Sequence, residues 1–273
     1  MGGAERNARK RRQNQGAGTR PAAKNPVVAA RKAGGDRNKV IIGVLVVLVI
    51  AAAVIGGVIY TNSKKDATAG SAIKVATVGF DVPVKRDGAT VLVGKDSAKV
   101  TVDVYEDFLC PVCGDFEKTY GQEIEDKLTA GTVKVRYHIV NLLNTRSDPA
   151  GYSTDSANAA LLAADEGKFL PFHKSLFGDQ PEEGARGWTK DQLIDLGKAV
   201  GLSSQTFADG VRAGKYDAEV SAAYQQIKST DYLQQDFGNG QKGFGTPTVA
   251  VDNKVVDTSN KGWLANLVGN SQG

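Results

Sequence analysis

Val40 to Ile59 reads VIIGVLVVLVIAAAVIGGVI, twenty consecutive residues without a charge. A helix of that length, at about 1.5 Å per residue, spans roughly the 30 Å of a bilayer's hydrocarbon core. Fourteen of the twenty are Val, Ile or Leu. At about −0.3 to −0.6 kcal/mol each for insertion, they outweigh the intervening small residues. β-Branched side chains favour strand in water, but a lone strand in lipid leaves its backbone groups unpaired. A single spanning helix over 40–60 is therefore expected, with Tyr60 at the interface, where aromatic rings are favoured.

Charge orients this span. The formal net charge of +4 conceals a split: residues 1–39 carry eleven Lys/Arg against two acids, and the rest of the chain is net negative. The basic arm has no aromatic residue and no apolar period, so it is read as a disordered tail. Lying directly before the span, its charge holds the N-terminus in the cytoplasm and leaves the C-terminal portion outside the cell membrane. That placement accounts for the basic residues without a nucleic-acid partner. The run exceeds the usual apolar length of a cleaved signal peptide, roughly 7–15 residues. Lys64, Lys65 and Asp66 separate it from the cleavage-like Ala67-Thr68-Ala69, and Arg11-Arg12 lacks the apolar residues of a twin-arginine signal. An uncleaved signal-anchor follows, with residues 61–73 as a polar linker.

From residue 74 onward the pattern is globular. Strands are expected at Lys74–Val78, Thr90–Val93, Lys99–Tyr105 and Val133–Leu143, with Asp87-Gly88 marking a hairpin. Phe116, Tyr120, Ile124 and Leu128 recur every four residues, one stripe of a helix that Gly131 ends. A helical block of about ninety residues (147–236) follows. Its stripes are Ala157/Ala160/Leu161/Ala164, Leu193/Leu196/Val200 and Val220/Ala223/Tyr224/Ile227. Thr248–Val251 and Lys254–Val256 return to strand around an Asp252-Asn253 turn, and a short helix covers Trp263–Val268. The order predicts an α/β domain over 74–273, a mixed sheet interrupted by a helical insertion.

The chain has two cysteines, both in Cys110-Pro111-Val112-Cys113. The motif falls between a strand and a helix. Cys110 would cap that helix, where unpaired N–H groups and the helix dipole favour a thiolate, the form that attacks disulfides. Cys113, one turn on, can close a disulfide with it, and Pro111 fits the first turn because its missing N–H has no partner there. Competing readings are an inert structural pair and a metal site. A bridge across two residues is a poor staple. Zinc would need two further ligands, while His138 and His173 lie 35 positions apart, unlike finger spacing. A copper carrier, needing only two sulfurs, stays open.

The stretch Val102-Asp103-Val104-Tyr105-Glu106-Asp107-Phe108-Leu109 leading into Cys110-Pro111-Val112-Cys113 resembles the DsbA-like thioredoxin-fold proteins. Gly245-Thr246-Pro247-Thr248-Val249 resembles their cis-proline loop, and Phe172-His173-Lys174-Ser175-Leu176-Phe177 a segment of their helical insertion. The resemblance extends over roughly 84–268. It implies a thioredoxin-like fold and an extracytoplasmic thiol–disulfide oxidoreductase. Cys110 would be the attacking thiol, Cys113 the resolving one, and Pro247 cis beside them. Proline donates no ladder hydrogen bond, which leaves the Thr246 backbone free to pair with an extended substrate.

Two departures accompany the likeness. Many relatives carry an acid six residues before the first cysteine, where this chain has Val104. Asp103 faces the other side by strand alternation, and neither Glu106 nor Asp107 is assigned the role. DsbA has histidine before its second cysteine where this chain has Val112, which implies a weaker oxidant. His138, His173, Trp188 and Trp263 read as packing residues, and Gly238–Gly245 lacks the Lys-Ser/Thr ending of a phosphate loop.

The expected protein is thus a membrane-anchored oxidoreductase acting on cysteines of exported proteins, with Cys110 and Cys113 as catalytic residues. Thr246 and Pro247 would meet substrate, Pro111 and Val112 would tune the motif, and neither a resident metal nor a cofactor is called for. Partners would be exported thiol proteins and a redox protein at the membrane. The alternatives are a thiolate copper carrier and a tethered, redox-inert interaction module.

Overall fold

Alternating burial along Val100–Glu106 (β3) sets the centre of the fold: Val100, Val102 and Val104 are buried, with half-buried Thr101 and Asp103 between them. The computed structural model describes residues 65–238 and 240–270, so the tail at 1–39 and the apolar run at 40–60 lie outside the described residues. Among the described residues no helix is long and apolar enough to cross a membrane.

Strands β1 (Val84–Asp87) and β2 (Thr90–Val93) form the hairpin that Asp87-Gly88 suggested. After β3 come helix α1 (Pro111–Ala130) and strand β4 (Val133–Ile139). β3 and β4 pair in parallel, with Val102 opposite Val135 and Val104 opposite Tyr137, so α1 is the crossover of a βαβ unit. Gly131 ends α1 in the left-handed region at φ 72°, its N–H bonded to the carbonyls of Leu128 and Lys127. Only glycine takes that conformation without strain, which is why the sequence marks the helix end so clearly.

Five helices form the insertion: α2 (Tyr152–Asp165), α3 (Phe169–Gly178), α4 (Lys190–Ala199), α5 (Gln205–Ala213) and α6 (Asp217–Ile227). A one-turn 3₁₀ helix at Asp231–Leu233 and the small hairpin of β5 (Gln235–Asp236) and β6 (Lys242–Gly243) follow. β7 (Thr248–Val251), β8 (Lys254–Val255) and α7 (Trp263–Asn270) complete the order. Asp252 and Asn253 both have positive φ, 48° and 59°. These are the angles a two-residue hairpin needs, and Asn and Asp tolerate them best after glycine. The main sheet runs β1-β2-β4-β3-β7-β8, antiparallel except for the β3–β4 pair.

Helix α2 is buried almost all round: Ala157, Ala159, Ala160, Leu161, Leu162, Ala163 and Ala164 have next to no exposure. A helix apolar on every face belongs in the middle of a core. Its alanines let neighbouring helices approach, and truncating Leu161 to alanine would cost about 2–5 kcal/mol.

Two expectations needed correction. Lys74–Val78 is extended but pairs with no strand. It crosses α3 instead, where the Lys74 and Ala76 amides donate to Asp179 (3.0 Å) and Ser175 (2.9 Å). Residues 65–73, read as linker, pack onto the helical block. Thr68 and Ile73 are buried, the Arg186 amide donates to the Lys65 carbonyl, and Gln192 donates to the carbonyls of Thr68 and Ser71. Their polar composition hides this because the contacts run through backbone groups.

Candidate active site

The turn between β3 and α1 is held by Asp107, a fully buried carboxylate. Its Oδ1 accepts from the Leu109 amide (2.8 Å) and the Ser153 hydroxyl (2.8 Å), and its Oδ2 from the Leu143 amide (2.7 Å). Burial pushes its pKa up to about 6 against the pull of these bonds. One side chain thereby ties the turn to the β4 exit and to the start of α2. A second tie comes from Gln180, whose amide donates to the carbonyls of Phe108 and Cys110, both at 2.9 Å. A Cβ at Gly114 would strike the Gln180 side chain, so the glycine makes room for this clasp. Nothing in the sequence around Gln180-Pro181 points to this task.

Cys110 sits at the N-cap of α1 with extended backbone (φ −72°, ψ 115°), and Pro111 takes the first turn. Both thiols are free; Cys110 is 6% exposed and Cys113 wholly buried. The Cys110 pKa falls to about 6. The largest cause is the hydrogen bond from the Cys113 thiol; burial opposes it, and the Thr246 side chain and the amides of Cys113 and Val112 add to it. Cys113 moves the other way: burial, the bond it gives Cys110, and the charges of Cys110 and Glu106 all raise it. The pair thus divides into a thiolate and a guarded thiol, the division that a nucleophile and its resolving partner require.

Facing them is the loop before β7. The Cys110 thiol donates to the Thr246 carbonyl at 3.4 Å, and the Thr246–Pro247 bond is cis. Thr248 anchors the loop by donating to the Gly245 carbonyl (2.6 Å) and accepting from Gln235 (2.7 Å). Val112 is 60% exposed, and so is Phe237 at 62%, whose ring lies against Gly243 and Gly245. All six sequence-predicted site residues, Cys110, Pro111, Val112, Cys113, Thr246 and Pro247, belong to these two facing segments.

Beneath the thiols lies a group to which the sequence assigned no role. Glu106, the last residue of β3, is wholly buried; its Oε2 and His173 Nε2 share a 2.9 Å hydrogen bond. Burial raises Glu106 to about 8, against the stabilising bond from Glu117 and together with the charge on Cys110. Glu117 is raised as well, by burial and then by the charge of Glu106, while burial lowers His173. Val104 is plain core. Alternation nevertheless puts Glu106 on the same face as Val104, one rung nearer the cysteines, a parity that could have located this acid. His173 was read as a packing residue. It does pack, among the rings of Phe108, Tyr137, Phe169 and Phe177, but it also holds a carboxyl.

A βαβ-centred mixed sheet, two thiols opening the crossover helix and a cis-proline loop opposite them define a class. Residues 86–265 match the thioredoxin family model, and the chain belongs to that family, among its DsbA-like thiol–disulfide oxidoreductases. Three relatives place it further. It is similar to disulfide bond formation protein D of Bacillus subtilis, 30% identical over 173 residues, covering 60% of this chain and 68% of that one. It is similar to the serine/threonine-protein kinase PknE of Mycobacterium tuberculosis, 31% identical over 195 residues and 69% of this chain. There it spans 33% of the relative's length. Among solved structures, reduced DsbA of M. tuberculosis aligns with a TM-score of 0.57 at 27% identity, covering 68% of this chain and 93% of that one.

Proposed function

We propose that the chain catalyses thiol–disulfide exchange through Cys110 and Cys113 on cysteines of exported proteins, tethered by the span at 40–60 with its folded domain outside the cell. The observation that carries the reading is geometric: Cys110 caps α1 with the wholly buried Cys113 one turn on, and its sulfur lies 3.4 Å from the carbonyl of Thr246, before the cis Pro247. In the oxidised protein a substrate thiolate attacks Cys110 Sγ, breaking the Cys110–Cys113 bond and releasing Cys113 as thiolate, which takes up a proton. A second substrate thiolate then attacks the substrate sulfur of the mixed disulfide. The substrate leaves with a disulfide, and two electrons remain on Cys110 and Cys113. A redox partner at the membrane reoxidises them.

The oxidising direction follows from the Cys110 thiolate. Stabilising the reduced form makes the disulfide a better oxidant, by about 30 mV for each 1.4 kcal/mol. Val112 in place of histidine limits the effect. The reduction potential is expected between thioredoxin's roughly −270 mV and DsbA's roughly −120 mV; a value below that interval reverses the direction. Thr246 and Pro247 would align an extended peptide across the thiols, with Val112 and Phe237 offering it apolar surface.

The deciding experiment is trapping. Cys113→Ser should accumulate mixed disulfides with exported proteins, released by reductant, whereas Cys110→Ser should accumulate none. Absence of adducts under conditions where wild type turns over would remove the assignment. Protease added outside intact cells should digest the folded domain and spare the basic tail.

A further inference from the structure

Glu106, Glu117 and His173 converge from three elements: the end of β3, the second turn of α1 and the middle of α3. One ligand atom from each lies within 4.8 Å of the other two. Glu106 bonds the imidazole at 2.9 Å and the two carboxyls bond each other, so the group is held together by protons alone. A divalent cation can displace such protons and take the same donor atoms, because metal binding and proton release are coupled. A cavity of about 270 Å³ opens beside the group between α1 and α3, lined in part by Glu117, His173, Gly121 and Leu170. The Lys174–Glu125 ion pair (2.6 Å) stands at its wall. The cavity supplies an entry path and space for a water molecule as a further ligand.

We propose that Glu106, Glu117 and His173 form a binding site for one divalent cation of the zinc type, on the inner side of the thiol pair. One imidazole and two carboxylates with an open fourth position is a ligand set zinc takes, at about 2.0–2.2 Å per bond. Closing the three atoms onto an ion requires movements of roughly 1 Å, within reach of the glutamate side chains. Calcium wants six to eight oxygens and magnesium a shell rich in water; the aromatic walls around His173 offer neither. The site uses no sulfur, so it is distinct from metal capture by the two cysteines. It does not depend on the redox reading.

The test uses the full chain in detergent with the Cys110–Cys113 disulfide formed, so that no thiolate can bind metal. Zinc chloride titrated in a calorimeter should saturate at one ion per chain, and Glu117→Gln and His173→Gln should each weaken binding at least 50-fold. Cobalt(II) should give a visible d–d spectrum lacking thiolate charge transfer, a readout on unsubstituted protein that stands if a variant misfolds. No saturable binding, or binding unchanged in both folded variants, overturns the proposal. A trapping result with Cys113→Ser, positive or negative, leaves this outcome independent.

Discussion

The two faces of the central strand pair each carry a carboxylate–histidine contact of nearly the same length, and the two behave oppositely. On the face toward α1, Glu106 and His173 meet at 2.9 Å with neither exposed, and burial drives the acid up to about 8. On the other face, Asp103 and His138 meet at 2.8 Å where water reaches, and Arg136 adds a second bond at 2.9 Å. Burial resists there too, but His138 and Arg136 outweigh it and the acid falls below its ordinary value. The same two functional groups therefore make a half-buried contact supported by an arginine in one place and a buried, proton-loaded cluster in the other. Solvent access and the count of cations decide which.

The comparison breaks most visibly in activity. Cys110→Ser, on the buried-cluster side, should cost at least about 10³-fold in disulfide exchange, as loss of a nucleophile does. Asp103→Asn, on the far side of the sheet, should stay within a few-fold of wild type in the same assay. Stability comes next. With chelator present, His173→Ala should cost about 1–3 kcal/mol in urea unfolding for the buried carboxyl left without its partner, and more for the cavity left among the aromatic rings. His138→Ala should cost less, about 1 kcal/mol for the lost hydrogen bond, because Arg136 still bonds Asp103. Equal losses would mean that the two carboxylate–histidine contacts sit in equivalent environments.

Two pH measurements sharpen it. Alkylation of Cys110 should follow a titration with its midpoint near 6, against roughly 8.5 for an ordinary cysteine. A midpoint at the ordinary value would remove the helix-capped thiolate from the mechanism. The smallest effect is expected at the acid limb. Asp103 has a depressed native pKa, so its contribution is present above the unfolded value and disappears as pH falls through the native one. Asp103→Asn should therefore flatten the loss of stability below about pH 4, the ordinary aspartate range, and leave the neutral range little changed.

Much of this was legible in the chain. Strand parity put Asp103 on the far face, Gly131 and Asp252-Asn253 fixed a helix end and a hairpin, and the cysteine spacing located the thiols. Glu106 was within reach of the same parity rule but was judged by a position count instead. His173 could not be read: its partner is 67 residues away, and an apolar neighbourhood describes a packed histidine and a carboxyl-bound one equally well. Gln180 is similar, since nothing in a Gln-Pro pair names two carbonyls some seventy residues upstream. Helix α3 was not resolved within the block because it is apolar around most of its circumference, which blurs a stripe. The stretch at 65–73 misled because backbone-mediated packing leaves no hydrophobic pattern.

The Gln180 clasp carries a consequence for engineering. Both hydrogens of one amide are committed to carbonyls flanking the reactive sulfur, so the inserted helices act as a brace for the loop they appear merely to decorate. Transplanting the four-residue motif onto a smaller scaffold without that insertion would hand both carbonyls to water. The recipient would inherit the cysteines but not the stiffness that aims them.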